Sequence, residues 1–180
     1  MKITVVTNNP HKAREIGLFF GGVAEVTHVA LECPEVRDNS VKTIAEKKAE
    51  YAYQILKRPL ICDDTGFYIH ALRGFPGPYA AFVQETIGNE GILRLMEGFS
   101  DRKAFFETAI AYADGDDIRV FSGRIQGRVV APRGTGGFGY DPIFEWRGRT
   151  LAEMSPEEKN RVSHRARALR RLRDFLIARV

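Results

Sequence analysis

The chain has 180 residues, 44% hydrophobic and 28% charged, with a net charge of +4. That length suits one domain, residues 1–180, able to bury a substantial core, and the composition is globular rather than disordered. No apolar run reaches the length of a membrane span, and Met1-Lys2-Ile3-Thr4-Val5-Val6-Thr7 turns polar too soon for a signal peptide, so a cytoplasmic protein with no membrane partner is expected.

The positive charge is unevenly placed. Residues 157–180 hold eight Lys/Arg against three Asp/Glu, and the rest of the chain is near neutral. A basic last helix on a neutral body, without zinc-finger spacing or an RNA-recognition motif, gives no expectation of a nucleic-acid partner. Cys33 and Cys62 lack metal-ligand spacing, and Cys62 sits in an apolar run as a small core residue.

In chain order, Ile3-Thr4-Val5-Val6 reads as a buried strand, broken by Thr7-Asn8-Asn9-Pro10. His11 to Phe20 has helical periodicity through Ile16, Phe19 and Phe20, and Gly21-Gly22 stops it. A strand over Ala24–Val29 and a long helix from Asn39-Ser40 to about Leu56 follow. Pro59-Leu60-Ile61-Cys62 reads as a short buried strand ending at Asp63-Asp64-Thr65-Gly66. Residues 73–79 are a loop by composition, Glu90–Met96 a short helix, and Lys103–Tyr112 and Ile118–Val130 two antiparallel strands around a turn at Asp114-Gly115-Asp116-Asp117. Ser155-Pro156-Glu157-Glu158 is a capping box with proline at the first helical position. Ser163 caps a last helix with the apolar face Val162, Ala166, Leu169, Leu172, Leu176. The class is α/β: a mixed, twisted central sheet flanked by helices.

Four segments carry chemistry. Asn9-Pro10 opens a helix whose first-turn N–H groups attract anions; Lys12 there is unfavourable to the helix dipole unless an anion binds, and the alternative is a simple turn and cap. Asp63-Asp64 at a strand end offers carboxylates for Mg²⁺ and water activation, although neighbouring strand residues point to opposite faces. Gly134-Thr135-Gly136-Gly137-Phe138-Gly139 matches a dinucleotide fingerprint only literally, because Tyr140-Asp141-Pro142 prevents the helix that such a motif needs. It reads better as a flexible loop presenting Phe138 and Tyr140, with Phe138 either stacking on a base or joining the core. Lys159, His164 and Arg165 cluster at the junction of the last two helices, whereas Arg167, Arg170, Arg171, Arg173 and Arg179 read as solvent-facing. Together the four describe a nucleotide polyphosphate site with Mg²⁺.

On five motifs in order, the chain resembles the inosine triphosphate pyrophosphatase family over nearly its whole length. They are Thr7-Asn8-Asn9-Pro10-His11-Lys12, Asp63-Asp64-Thr65-Gly66, Gly74-Phe75-Pro76-Gly77-Pro78-Tyr79, Gly137-Phe138-Gly139-Tyr140-Asp141-Pro142, and the run from Glu157 to Arg165. The resemblance implies an elongated cleft between two lobes, a homodimer, and Mg²⁺-dependent hydrolysis of ITP, dITP and XTP to nucleoside monophosphate and pyrophosphate. By the same resemblance Thr7, Asn8, Asn9, Pro10, His11 and Lys12 hold the triphosphate, and Glu35 and Asp64 bind Mg²⁺. Asp64 also accepts the proton of water, and Thr65 contacts substrate. Phe138, Gly139, Tyr140 and Asp141 line the base pocket, completed by Lys159, His164 and Arg165. Asn8 stands where the family usually has glycine, and Thr65 where serine is usual. The rivals are a related pyrophosphatase of the septum-formation-inhibitor type, preferring pyrimidine triphosphates, and a non-catalytic nucleotide or RNA binder.

Overall fold

The structure is a computed structural model and describes residues 2–34, 36–115 and 117–179. Glu35, implied above as a metal ligand, and Asp116 of the expected hairpin turn lie outside the described residues. The described residues fold as an eight-stranded sheet with helices on both faces. The strands are β1 (Lys2–Val6), β2 (Glu25–Val29), β3 (Leu60–Ile69), β4 (Pro76–Gly77), β5 (Lys103–Ala113), β6 (Ile118–Val129), β7 (Phe144–Trp146) and β8 (Arg149–Thr150). The helices are α1 (Pro10–Phe20), α2 (Val41–Leu56), α3 (Ala80–Thr86), α4 (Gly88–Leu95), α5 (Pro156–Val162) and α6 (His164–Ile177).

The strand order is β2-β1-β3-β5-β6-β7-β8, with β4 added beside β3. β1 pairs in parallel with β2 and β3, and the other pairings are antiparallel. The chain leaves β1 for β2 on one side through α1 and then reaches β3 on the other through α2. The carboxyl end of β1 is therefore a topological switch point, where open α/β sheets hold their ligands.

Strand alternation divides the core. Ile3, Val5, Ile61 and Ile110 face Ile16 and Phe20 of α1 and Leu169, Leu172 and Leu176 of α6. Val6, Leu60, Cys62, Ala109 and Ala111 face Ala45, Ala49 and Ala52 of α2. A third cluster, with Phe67, Ile69, Ile92, Met96, Phe106, Tyr140 and Phe144, forms the lobe around α3 and α4. α6 lies against β6 at Gly123, where a Cβ would stand 2.3 Å from the His164 carbonyl oxygen and 2.5 Å from the Ala168 nitrogen. Only glycine permits that approach, which sets the start of α6.

Two sequence expectations change. β3 does not end at Cys62; it runs ten residues to Ile69, and Asp63-Asp64-Thr65-Gly66 lies inside it. β1 covers only Leu60–Cys62 and β4 only Phe67–Tyr68, so residues 63–66 have β5 on one side and no strand on the other. The carboxylates thus sit on an open strand edge beside the end of β1, which serves the purpose assigned to a strand terminus. Helix α3, over Ala80–Thr86, was not legible in the sequence.

Candidate active site

A cleft of about 1200 Å³ runs from the β1–α1 loop to α3. Its walls include Thr7, Asn8, Asn9, Pro10, His11, Lys12, Asp64, Thr65, Phe138, Gly139, Tyr140, Asp141, Lys159, His164 and Arg165. The structure thus gathers every described residue of the sequence-derived site.

The β1–α1 loop is internally bonded. Asn9 caps α1, its Oδ1 accepting from the backbone N–H groups of His11 (2.9 Å) and Lys12 (3.3 Å), while Thr7 Oγ1 accepts from the Asn9 N–H at 3.2 Å. This revises the anion-cradle expectation, because the first-turn N–H groups are already spent on the cap. Lys12 is likewise engaged: its ammonium lies 3.1 Å from Asp63 Oδ2.

Asp63 and Asp64 separate as strand geometry requires. Asp63 turns toward α1 and α6, where Arg165 donates to its Oδ2 through Nε (3.3 Å) and Nη2 (3.2 Å). Burial pushes the Asp63 carboxyl up, but the charges of Lys12 and Arg165 outweigh it and hold it below the usual carboxylate range. Asp64 turns toward α2, where Lys48 donates to Oδ1 at 2.9 Å. Here burial outweighs Lys12 and Lys48, and the carboxyl is raised. Its Oδ2 is buried with no hydrogen-bond partner. Asp64 is therefore the better base of the two, and its unpartnered Oδ2 is an oxygen to offer a cation. Among the described residues no group of three or more His, Cys, Asp or Glu is placed to hold a metal. Mg²⁺ fits such a site, since it binds through one or two carboxylates and takes its other ligands from water and substrate phosphate.

α5 and α6 meet at Ser163, whose Oγ caps α6 by accepting from the Ala166 N–H at 3.2 Å. The expected capping box at Ser155 and Glu158 is present. The junction delivers Lys159, His164 and Arg165 to the cleft, all at least 95% buried. Lys159 lies 2.5 Å from Glu15 Oε1 and 2.6 Å from Asp141 Oδ2. Arg165 donates to Glu15, to Asp63 and, at 3.1 Å, to Thr65 Oγ1. Glu15 is thus the centre of the cluster, and sequence reasoning missed it. Burial pushes its carboxyl up, but Arg165 and Lys159 outweigh burial and hold it low. The available signal was its place one turn after Lys12 on the same face of α1.

His164 stacks on Phe106 with ring centres 4.6 Å apart. Burial, reinforced by Arg165, Lys159 and Lys12, drives its pKa well below that of a free histidine, so the ring is neutral. Its Nδ1 is buried without a partner.

The glycine-rich segment is held, not loose. Asp141 Oδ2 accepts from the Phe138 N–H at 2.9 Å, Asn89 donates to the Gly139 carbonyl at 3.0 Å, and the Tyr140 hydroxyl donates to the Ala80 carbonyl at 2.6 Å. Gly137 has φ +66°, and a Cβ there would stand 2.1 Å from Asp141 Oδ2. Phe138 is consequently presented to the cleft, stacked 4.8 Å from His11 and under the Lys159 ammonium. Tyr140 is a core residue packed on Phe67 that also lines the cleft. Three of the α6 arginines tie the helix down: Arg167 donates to the Val162 and Arg124 carbonyls, Arg170 to that of Arg161, and Arg171 to that of Ser122.

The chain is similar in sequence and in fold to known proteins. The chain is 44% identical to a dITP/XTP pyrophosphatase of Thermococcus kodakarensis, covering 98% of this chain and 97% of that protein. It is 47% identical to a dITP/XTP pyrophosphatase of Saccharolobus solfataricus, covering 98% and 94%. It is 38% identical to an inosine triphosphate pyrophosphatase of Emericella nidulans, covering 97% and 96%. Its fold matches the solved Ham1 protein of Staphylococcus aureus with a TM-score of 0.87 and 29% identity over the whole of both chains. Residues 3–175 match the Ham1 family, and the chain belongs to that family.

Proposed function

We propose that the chain hydrolyses dITP, XTP and ITP to the nucleoside monophosphate and pyrophosphate, with Mg²⁺ as cofactor, and so cleanses the nucleotide pool. It is an enzyme acting on a phosphoric anhydride, as its relatives' names indicate. The observation that carries the reading is the unpartnered Asp64 Oδ2, buried in the same cleft as Phe138, Lys159 and His164. A triphosphate lying along the cleft would place its phosphates between Lys12 and Lys48 and its base beside Phe138. Mg²⁺ would be held by Asp64, with Glu35 implied by the family resemblance, and would supply charge neutralisation and water activation.

The protein's own groups do the rest. Lys12 and Lys48 offset phosphate charge, and Asp64 accepts the proton of the attacking water. Asp63 stays ionised against Arg165 and positions it. Phe138 stacks on the base. His164 is neutral, and in its Nδ1-protonated tautomer it would donate to the 6-keto oxygen of hypoxanthine or xanthine, whereas the 6-amino group of adenine would set donor against donor. A homodimer in the cytoplasm is part of the proposal; exposed Tyr79 and Phe82 at the start of α3 support the dimer.

Incubation with dITP, ITP, XTP, GTP, ATP and UTP in Mg²⁺, with pyrophosphate and orthophosphate measured separately, tests the reading. Pyrophosphate release from dITP, ITP and XTP at rates far above GTP, ATP and UTP is expected. Orthophosphate alone, or equal rates on all six, would sink it.

A further inference from the structure

We propose that Cys33 and Cys62 form a modification site: a thiol pair in the cleft that a small-molecule disulfide, such as oxidised glutathione, converts into an intramolecular disulfide. Both cysteines line the cleft. Both are free thiols, Cys62 buried and Cys33 half-buried. Cys33 packs against the core cluster that contains Cys62. Cys33 comes from the segment after β2 and Cys62 from β3, so the bond would join two walls of the cleft. Cys62 shares its strand face with Asp64, two residues on, because strand side chains alternate.

Differential exposure sets the order of reaction. The sulfur of Cys33, the reachable one, attacks one sulfur of the disulfide reagent, forming a mixed disulfide and expelling one thiolate. Cys62 then attacks the Cys33 sulfur, forming the Cys33–Cys62 bond and expelling the second. The two protons lost by the cysteines end on the two leaving thiolates. The cysteines lose two electrons, which the reagent gains.

A disulfide holds its sulfurs about 2.05 Å apart, far closer than two thiols in van der Waals contact. Forming it draws the Cys33 segment toward β3 beside Asp64 and Lys48. Displacements of ~1 Å near reacting groups cost up to about a hundredfold in rate, so a loss of roughly tenfold or more is expected. That effect on turnover rests on the proposed function, whereas formation of the bond does not.

The test exposes the full chain to oxidised glutathione, counts free thiols, maps peptides by mass spectrometry without reductant, and measures pyrophosphate release before and after dithiothreitol. Wild type should lose both thiols together, carry a Cys33–Cys62 link with no retained glutathione, lose activity, and regain it on reduction. Cys62→Ala should trap glutathione on Cys33, and Cys33→Ser should take up none. Two free thiols after exposure, or glutathione retained on wild-type Cys33, would overturn the site. A link formed without change in turnover would overturn its effect on activity. Absence of activity in the reduced protein would count against the proposed function and leave the link intact.

Discussion

Replacing Glu15 by glutamine removes one charge from the centre of the site and keeps the side chain's shape. In the wild type its carboxylate sits between Lys159, 2.5 Å from Oε1, and Arg165, and Asn160 donates to the Glu15 backbone carbonyl at 3.0 Å. Removing one partner of a buried ion pair costs about 3–5 kcal/mol, because the other charge stays buried and unpaired. Here both cations keep a second carboxylate, Asp141 for Lys159 and Asp63 for Arg165. The glutamine oxygen also retains one acceptor. The cost should therefore fall below that range, at roughly 2–3 kcal/mol. For a chain of this size 1 kcal/mol lowers Tm by about 2–4 °C, so Tm should drop by roughly 4–12 °C.

The pH dependence separates this cause from loss of packing. The Glu15 pKa is lowered in the folded protein, so its contribution is complete above the unfolded value of about 4.3 and disappears as pH falls through the lower folded value. Denaturant melts of wild type and Glu15→Gln at pH 7 and in steps below pH 5 should show a gap that is constant near neutrality and closes only in acid. A gap under about 1 kcal/mol at pH 7, within the range of an exposed pair, would refute the reasoning. So would a gap that persists unchanged to the lowest pH at which both proteins fold.

Three further outcomes are expected. Asp64→Asn should lower kcat by about a hundredfold or more while circular dichroism and Tm show the fold retained, since it removes the proposed proton acceptor; near-normal turnover would remove Asp64 from that role. Gly137→Ala should raise KM roughly tenfold, because the added methyl displaces Asp141 from the Phe138 N–H at a backbone position with φ +66°; an unchanged KM would show that the latch does not set the position of Phe138. In the wild type, an NMR titration of the His164 ring should show it already neutral at pH 6.5, because burial and the neighbouring cations drive its folded pKa well below that of a free histidine. For stability the same depression means that the unfolded chain binds the extra proton as pH falls below about 6.5, so the His164 contribution declines toward acid.

The pattern of agreement follows from the range of the interactions involved. Capping boxes, strand alternation and helical periodicity are local, which is why the Ser155 and Ser163 caps, α1, α2, β5 and β6 could be placed from the residues. The five motifs marked the site because phosphate, base and metal chemistry restrict the residue types that can serve them. Glu15 carried no such mark: a single glutamate on a helix reads as a solvated charge until Lys159 and Arg165, about 145 residues later, are brought against it. The length of β3 was hidden for the same reason. Asp63-Asp64 looks like a strand end because buried carboxylates are costly, and only Lys12, Lys48 and Arg165, supplied by three separate helices, make them tolerable inside a strand.

By itself, then, the sequence determined most of the longer elements, the α/β class and the chemical vocabulary of the cleft, because these depend on near neighbours and on residue type. Tertiary structure alone decided which of two adjacent aspartates has its pKa raised, which cations are already neutralised, and that the glycine-rich segment is latched. Those outcomes depend on burial and on charges from distant parts of the chain, and the large balance between desolvation and pairing is struck only once the chain is folded.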